Sequence, residues 1–253
     1  MQNSPVLGID IGGSGIKGAP VDLVAGDFAA DRLRIPTPAK STPANVAAVV
    51  AEIVAAFADQ IGDGPVGITI PSVVTHGITR SAANIDPSWI DAPAAKIFAD
   101  RLGREVVLVN DADAAGVAEV TFGAAKGQDG IVLMTTLGTG IGSALIYRGI
   151  LVPNTELGHL EIDGYDAEKR AAASIRTAEK LSFAQYVPRL QRYYETLEAL
   201  FWPDLFVVGG GVSKDADRFL PKLKLKTPIV PATLRNRAGI IGAAQLAANS
   251  ATS

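Results

Sequence analysis

A glycine-rich turn flanked by apolar runs occurs twice in this sequence, and the spacing of the two copies restricts what the chain can fold into. The first copy reads Asp10-Ile-Gly-Gly-Ser-Gly-Ile, and the second reads Thr136-Leu-Gly-Thr-Gly-Ile-Gly. Gly138 lies 126 positions after Gly12, which is about half of the 253 residues. A half-length repeat of this kind predicts two similarly built lobes that face each other across a cleft.

Both turns have the composition of an anion-binding site. Glycine leaves bare backbone N–H groups facing one small concavity, and phosphate is the usual occupant of such a concavity. A third glycine run, 209–211, joins a predicted strand over 205–208 to a predicted helix, and such a junction suits a nucleotide or a phosphate. An ordinary hairpin is the alternative for either turn taken alone.

Two aspartates lie next to predicted strands, where α/β proteins keep their chemistry. Asp10 immediately precedes the first turn, where its carboxylate could hold Mg²⁺ through water; capping of the turn is the alternative. Asp111 follows Asn110 at the carboxyl end of a predicted strand over 105–109. Asp111 is therefore the candidate general base, with N-capping of a predicted helix over 112–122 as the alternative.

A group of charged and polar side chains follows the second turn along the sequence. The run Glu156-Leu-Gly-His-Leu-Glu161 brings carboxylates and an imidazole together beside a glycine. A neutral polyol suits such groups, because each hydroxyl needs both a donor and an acceptor. A metal site or a solvated loop is the alternative, but the neighbouring glycine turn favours a sugar held next to a phosphate.

Composition excludes several classes of protein. The net charge of −3 is too close to neutral for a general nucleic-acid binder. The chain has no cysteine, so disulfides and thiolate metal sites are excluded and a reducing cytoplasm is the simplest location. The N-terminus has no basic flank, and the apolar run 46–58 is too short to cross a bilayer. We therefore expect a cytoplasmic protein with neither nucleic-acid nor membrane partners.

Taken together and in this order, the motifs resemble those of the ROK-type sugar kinases of the actin-like ATPase superfamily. The resemblance spans nearly the whole chain. It implies an α/β, two-lobed actin-like ATPase (ribonuclease H-like) fold, in which each lobe is a mixed sheet flanked by helices and a cleft separates the lobes. We expect an N-terminal lobe at 1–109 and a C-terminal lobe at 110–253, with the terminal helix 238–248 able to pack back onto the first.

The resemblance also implies a role for each motif. In phosphoryl transfer to the 6-hydroxyl of a hexose, Asp111 is the base and Asp10 holds Mg²⁺. The residues expected to hold the sugar are Asn84, Asn110, Asp111, Glu156, His159 and Glu168, with Glu161 as the alternative to Glu168. The residues expected to hold the donor phosphates are Asp10, Gly12, Gly13, Ser14, Gly15, Lys17, Gly138, Thr139, Gly140, Gly209, Gly210 and Gly211.

The sequence departs from the family pattern after His159. ROK proteins usually carry a cysteine-rich zinc loop there, whereas this chain reads Glu161-Ile-Asp-Gly-Tyr-Asp-Ala-Glu. That replacement, and the run Ser81-Ala-Ala-Asn-Ile-Asp-Pro-Ser-Trp, resemble the polyphosphate glucokinase branch, which includes the polyphosphate/ATP glucomannokinases. The resemblance implies that the protein contains no zinc, that inorganic polyphosphate and ATP are donors, and that glucose or mannose is the acceptor. A monomer or a homodimer fits this pattern.

Three alternatives remain: a strictly ATP-dependent ROK hexokinase, a sugar-responsive repressor and a non-catalytic sugar sensor. The substituted zinc loop disfavours the first. Repressors of the family carry a helix-turn-helix before the first phosphate motif, and seven residues precede Gly8 here. An intact Asp111 disfavours the sensor.

Basic residues are concentrated after the third glycine run. Seven basic and two acidic residues lie between Gly210 and Arg237, although the whole chain is acidic. Such a segment could guide a long polyanion toward the transfer site, and a solvated lysine-rich face is the alternative. The basic residues are Lys214, Arg218, Lys222, Lys224, Lys226, Arg235 and Arg237. A basic helix is also predicted over 166–180, and its residues Lys169, Arg170, Arg176 and Lys180 could extend the path.

Overall fold

The computed structural model describes residues 5–82 and 85–250. The chain divides into two compact units, of which the first comprises Met1–Ala118 with Arg237–Ser253 and the second comprises Glu119–Asn236. Each unit contains one large mixed β-sheet with helices, as predicted, and a separate two-stranded hairpin. In the described part of the chain, no helix has the length and apolar character needed to cross a bilayer.

The elements follow one another as short strands and helices. The strands are β1 (Val6–Gly12), β2 (Gly15–Asp22), β3 (Asp27–Phe28), β4 (Leu33–Ile35), β5 (Val66–Ile70), β6 (Val74–Thr75), β7 (Ile78–Thr79), β8 (Val106–Asn110), β9 (Ile131–Leu137), β10 (Ile141–Tyr147), β11 (Ile150–Val152), β12 (Glu161–Ile162), β13 (Tyr165–Asp166), β14 (Leu205–Gly209) and β15 (Ile229–Pro231). The α-helices are α1 (Pro43–Ala56), α2 (Ala94–Leu102), α3 (Asp111–Thr121), α4 (Glu168–Ala171), α5 (Ala173–Ala178), α6 (Phe183–Phe201) and α7 (Ala238–Ser250). Segments of 3₁₀-helix cover Pro87–Trp89, Leu157–His159, Gly211–Arg218, Leu220–Lys222 and Arg235–Arg237.

The sheet of the first unit has the strand order β3-β2-β1-β5-β8, and β4 also pairs with β2. β1 and β2 form an antiparallel hairpin that closes where Gly12 faces Gly15, while β5 and β8 run parallel to the sheet's central β1. The carboxyl ends of parallel strands share one edge. The first glycine turn and Asp111, which follows β8, therefore lie at the same edge of this sheet.

Helices cover both faces of the first sheet, and glycine lets one of them approach closely. A side chain at Gly8 or Gly67 would overlap the backbone carbonyl groups of Ile240 and Ala243 in α7. Side chains alternate between the two faces of the sheet along a strand. Gly18 pairs with Ile9, the residue after Gly8, so Gly18 lies on the opposite face from Gly8, where it meets α1. The last helix of the chain is thus part of the first core.

The first unit takes in the beginning of α3 as well as α7. Sequence analysis placed the lobe boundary at 109/110, whereas the structure divides the chain after Ala118. Packing explains the difference, because Ala114 and Ala118 are fully buried and a side chain at Gly242 would overlap the Ala114 carbonyl. The predicted terminal helix 238–248 corresponds to α7, which packs on β1 and β5.

The sheet of the second unit has the order β11-β10-β9-β14-β15. β9 and β10 pair antiparallel around the three-residue turn 138–140, and β14 lies parallel to both β9 and β15. The second glycine turn and the third glycine run thus lie at one edge of this sheet. α6 packs on the unit through a buried face, and the hydroxyls of Tyr194 and Thr135 hydrogen-bond at 2.7 Å.

Two helix predictions in the second unit were wrong. A single helix was expected over 166–180, but Asp166 ends a hairpin strand and the chain then forms α4 and α5, separated by Ala172 in an extended conformation (ψ 150°). Ser174 explains the break, because its N–H and hydroxyl donate to the carbonyls of Gly138 and Thr139 at 3.0 and 2.5 Å. The helix expected after 209–211 is a 3₁₀ segment, kinked at Asp215.

Candidate active site

Asp111 is the first residue of α3 and remains exposed to solvent. Capping of this helix falls mainly to Asn110, whose side-chain oxygen accepts from the N–H groups of Ala112 and Asp113 at 2.8 and 3.3 Å. The amide nitrogen of Asn110 donates to the carbonyl of Ser72 at 3.1 Å, at the end of β5. The carboxylate of Asp111 is thus carried on a backbone fixed by its neighbour, at a position that a dissolved substrate can reach.

Asp10 is held from two sides at the end of β1. Lys17 Nζ donates to its Oδ2 at 3.1 Å, and the hydroxyl of buried Thr69 donates to Oδ1 at 3.0 Å. About a quarter of each side chain of the Lys17–Asp10 ion pair remains exposed (26% and 23%). The antiparallel register places Asp10 directly opposite Lys17, so the hairpin itself brings the two charges together.

The carbonyl groups of the first turn have partners of their own. The Arg34 guanidinium donates to Ser14 at 2.8 Å, and the Thr37 hydroxyl donates to Gly12 at 2.5 Å. Gly13 and Ser14 form the exposed tip of the hairpin. The hydrogen bond to Ser14 holds the Arg34 guanidinium beside the glycines of the turn. This guanidinium adds positive charge to a predicted phosphate site.

Glu168 connects the second glycine turn to the predicted sugar-binding group. Its Oε2 accepts from the backbone N–H of Ile141 at 3.1 Å, immediately after the turn. A side chain at Gly140 would overlap this carboxylate, so glycine is required there for Glu168 to approach. Within the turn, Gly138 N–H donates to the Gly140 carbonyl at 3.0 Å. The Glu168 carboxylate is therefore an anion bound by a backbone N–H group beside the turn, as expected where the backbone attracts anions.

Glu156, His159 and Glu168 lie close enough for their charges to influence one another. Partial burial raises the pKa of Glu156, although the residue remains exposed overall; His159 opposes this shift and the charge of Glu168 adds to it. The hydrogen bond with Asp166 raises the pKa of His159, and Glu168 is one of the carboxylates that add to the rise. Asp166 Oδ2 lies 3.1 Å from His159 Nδ1, and its Oδ1 accepts from Glu168 N–H at 3.2 Å.

The third glycine run packs against the second turn. Gly210 has φ 80° and ψ 177°, and a side chain there would overlap the backbone of Leu137, the residue before the turn. The Ser213 hydroxyl donates to the Gly210 carbonyl at 2.8 Å, which ties the following segment back to this glycine. The glycine is therefore needed for both its backbone conformation and its close approach, and the two predicted phosphate motifs of this unit adjoin.

The structure places the predicted residues in two groups, one in each unit. Asp10, the first turn, Lys17, Asn110 and Asp111 belong to the first unit, and the remaining described residues belong to the second. Asn84 lies outside the described residues. Glu161, the alternative to Glu168, is exposed on β12, and its side chain makes no hydrogen bond with the described part of the chain.

Asp166 and Ser174 are site residues that sequence analysis missed. A sequence signal for Asp166 was present, because Asp163-Gly164 is a typical two-residue hairpin turn, and both residues have positive φ in the structure. That hairpin turns the chain back and leaves Asp166 beside His159. Ser174 had no comparable signal, since its partners are in a turn 35 residues away.

His159, Asp166 and Glu168 also form the group of three among the described residues whose ligand atoms could hold a metal ion, with those atoms within 4.8 Å of one another. Imidazole and carboxylate groups are ligands for zinc as well as partners for sugar hydroxyls. If the predicted sugar-binding group were instead a metal site, these three residues would be its ligands.

A cavity of about 240 Å³ lies beside α4 in the second unit, and its lining includes Arg170 of the suggested polyphosphate path but none of the residues predicted to hold the sugar or the transferred phosphate. Tyr193 lines it, and the buried hydroxyl of this residue has no hydrogen-bond partner in the described part of the chain. Two arginines at its wall are already ion-paired, Arg189 with Glu179 at 2.6 Å and Arg192 with Asp163 at 2.8 Å. The cavity is therefore polar at its rim and distinct from the glycine turns.

Comparison with known proteins places these features in a family. The polyphosphate glucokinase of Mycobacterium tuberculosis is 48% identical over 239 residues, which cover 94% of this chain and 89% of that protein. The inorganic polyphosphate/ATP-glucomannokinase from Arthrobacter sp. strain KM is 54% identical, with a TM-score of 0.92 over 98% of this chain and 100% of that one. A ROK family glucokinase from Streptomyces griseus, solved with glucose and AMPPNP, shares the fold (TM-score 0.82, 24% identity, 97% of this chain and 99% of that one).

These likenesses confirm the predicted actin-like sugar-kinase fold and the predicted resemblance to the polyphosphate glucokinases. The ROK family pattern itself matches residues 6–173, which run from the start of β1 to the first residue of α5. That range includes the first two glycine turns, Asp111 and the Glu156–Glu168 group, and the chain belongs to the ROK family.

Proposed function

We propose that this protein is a glucokinase that transfers a phosphoryl group from inorganic polyphosphate to the 6-hydroxyl of glucose, with ATP as a second donor and mannose as a second acceptor. The relatives at 48% and 54% identity support this reaction class. The observation that carries the proposal is Glu168, whose carboxylate binds Ile141 N–H at the second turn and lies close to Glu156 and His159. One side chain thus joins a phosphate-type turn to a group suited to a sugar.

Asp111 acts as the general base. Its carboxylate accepts the proton of the 6-hydroxyl as that oxygen attacks phosphorus, and the oxygen bridging to the rest of the donor leaves. Attack must be in line, so the enzyme contributes mainly by positioning the reacting atoms. A positioned base contributes roughly 10²- to 10⁴-fold to the rate.

The other predicted polar groups bind the acceptor and the donor. Asn110, Glu156, His159 and Glu168 hold ring hydroxyls, and Asn84 is proposed to join them. The glycine turns and Lys17 hold donor phosphates through N–H and ammonium groups, which stabilise charge that moves onto the donor.

Asp10 suits a Mg²⁺ ion held through water. Each carboxylate oxygen accepts one hydrogen bond, from Lys17 or Thr69, and retains a lone pair for a water of a hydrated ion. Mg²⁺ keeps several waters when it binds, which matches such an outer contact. When bound, the ion would neutralise charge on the donor phosphates.

The reaction is tested by a coupled assay of glucose 6-phosphate formation with ATP and with polyphosphate in parallel. Asp111→Asn protein prepared in the same way controls for contaminating kinases. We expect product from both donors with the unmodified protein. Product from ATP alone would leave the strictly ATP-dependent hexokinase, and product from neither, with glucose still bound, would leave the sugar sensor.

A further inference from the structure

Two arginines of the second unit lie on the same aromatic ring. The guanidinium carbon of Arg176, in α5, is 3.9 Å from the centroid of the Phe183 ring, and that of Arg218 is 4.3 Å from it. The two guanidinium groups are therefore at most about 8 Å apart, the sum of these distances. Like charges this close repel each other, so the arrangement favours an anion that contacts both.

Both arginines are connected to the second glycine turn through short segments of the chain. Ser174, two residues before Arg176, donates to the carbonyls of Gly138 and Thr139 within the turn. Arg218 ends the 3₁₀ segment that begins after Gly210, which packs against Leu137 just before the turn. The arginine pair is thus held in a fixed position relative to a predicted donor-phosphate site.

The ring that carries the pair is itself fixed. Phe183 is buried, is the first residue of α6 and stacks on Phe219 with 5.6 Å between ring centroids. Ser182 and Gln185 form a capping box at this end of α6. Stacking on a ring uses the face of a guanidinium and leaves its in-plane N–H groups able to bind phosphate oxygens.

The pair is poorly neutralised by the protein. Arg218 reaches Asp215 only at 3.5 Å, and the buried Nε of Arg176 has no hydrogen-bond partner in the described part of the chain. Arg189 and Arg192, in contrast, meet carboxylates at 2.6 and 2.8 Å. The unit therefore contains arginines held closely by carboxylates and, connected to the donor turn, a pair that carboxylates hold less closely.

We propose that Arg176 and Arg218, stacked on Phe183, form a clamp for the polyphosphate chain beyond the phosphoryl group that is transferred. The inference rests on the proposed donor and adds a binding site for it. Polyphosphate carries charge along its whole length, whereas ATP ends its charge after three phosphates. The clamp should therefore act on long chains and contribute little to ATP.

The test compares donors across a set of matched variants. Arg176→Gln, Arg218→Gln and the double variant remove charge from the clamp, while Arg148→Gln removes charge from an exposed arginine paired with Asp129. We expect KM for long-chain polyphosphate to rise about tenfold or more in the double variant, because charge-assisted hydrogen bonds to phosphate are lost. KM for ATP should stay within about twofold, and Arg148→Gln should match the unmodified protein for both donors.

Salt dependence gives a second readout. Each lost phosphate contact should lower the slope of log affinity against log salt by somewhat less than one, by analogy with single-stranded nucleic acids. Arg176→Lys and Arg218→Lys should restore most of the slope, because the charge remains, but less of the affinity, because the planar fork is lost. These variants also keep the test valid should a glutamine variant fold poorly.

The variant Lys222/Lys224/Lys226→Ala removes three exposed charges from the same basic segment but leaves the clamp in place. A rise in KM for polyphosphate in that variant, with none in the arginine pair, would overturn the clamp. So would equal losses for ATP and polyphosphate.

Direct binding separates the clamp from the reaction. Calorimetric titration of long-chain polyphosphate without glucose should show tighter binding to the unmodified protein than to the double arginine variant. Binding that depends on the arginines, without product from polyphosphate, would keep the clamp and contradict the proposed donor. Equal binding by both proteins would contradict the clamp whatever the assay shows.

Discussion

A single carboxylate fixes the imidazole of His159. Asp166 accepts from Nδ1 and holds the following chain through the N–H of Glu168. A carboxylate on Nδ1 leaves Nε2 as the nitrogen that faces a ligand, and it favours the charged imidazolium. We therefore propose Asp166 as a positioning residue that acts through His159; its two hydrogen bonds place His159 and Glu168 relative to each other.

The pH dependence of glucose binding should reveal this pairing. The pKa of His159 is raised above its ordinary value of 6.5, chiefly by Asp166. The stabilising effect of the pair is complete below the ordinary value and is lost as the pH rises through the raised one. We expect KM for glucose to rise over the same interval, because the imidazolium no longer donates to a hydroxyl.

In Asp166→Asn this rise should begin at a lower pH, since the imidazolium has lost its partner. Asp163→Asn is the matched control in the same hairpin, because that carboxylate pairs with Arg192 instead. The measurement is KM against pH for the three proteins. Superimposable profiles for Asp166→Asn and the unmodified protein would contradict the assigned role.

Removing the proposed base should affect turnover and leave binding intact. We expect Asp111→Asn to lower kcat by roughly 10²- to 10⁴-fold, because a base acts in the transition state. Glucose affinity, followed by tryptophan fluorescence, should change little. Asp129→Asn, which alters an exposed carboxylate before β9, controls for loss of charge. Activity of Asp111→Asn within about tenfold of the unmodified protein would exclude Asp111 as the base.

At the scale of elements, α6 contains two adjacent buried tyrosines in opposite situations. Tyr194 hydrogen-bonds Thr135, while the hydroxyl of Tyr193 has no partner in the described part of the chain. Tyr194→Phe should lower the free energy of unfolding by about 1–3 kcal/mol, because it leaves the Thr135 hydroxyl buried without its partner. Tyr193→Phe should leave it unchanged or raise it. Urea denaturation of the two variants measures both, and an equal loss in Tyr193→Phe would reveal a partner for its hydroxyl.

The elements that could be predicted from the sequence are those with local causes. The glycine hairpins at both turns were predicted because apolar runs bounded by glycine specify strand, turn and strand without help from the rest of the chain. The break at Ala172 could not be predicted, since helix-forming residues surround it and its cause is the bond from Ser174 to Thr139. The same holds for the candidate site. Its acids and its histidine could be predicted from local motifs, whereas Asp166 comes to lie beside His159 only after the 163–164 turn has folded.

At the scale of the whole molecule, the absence of cysteine predicts that the protein does not depend on zinc. The test is metal analysis of the purified protein, followed by a zinc-selective chelator with Mg²⁺ in excess. We expect no stoichiometric zinc and no loss of activity. Bound zinc that disappears in His159→Ala would instead identify the group of His159, Asp166 and Glu168 as a metal site, because its atoms have suitable spacing.

The contact between α7 and the first sheet has a consequence for the order of events during synthesis. Gly8 and Gly67 leave room for the backbone of α7 at Ile240 and Ala243. The ribosome makes this helix last. Domains generally fold as they emerge, with the N-terminal one first. In this chain the second unit, Glu119–Asn236, is complete before the first has its last helix. A chain truncated after Asn236 should therefore protect its second unit from protease while β1 and β5 remain open to cleavage, because the part of the enzyme made first is the last to become native.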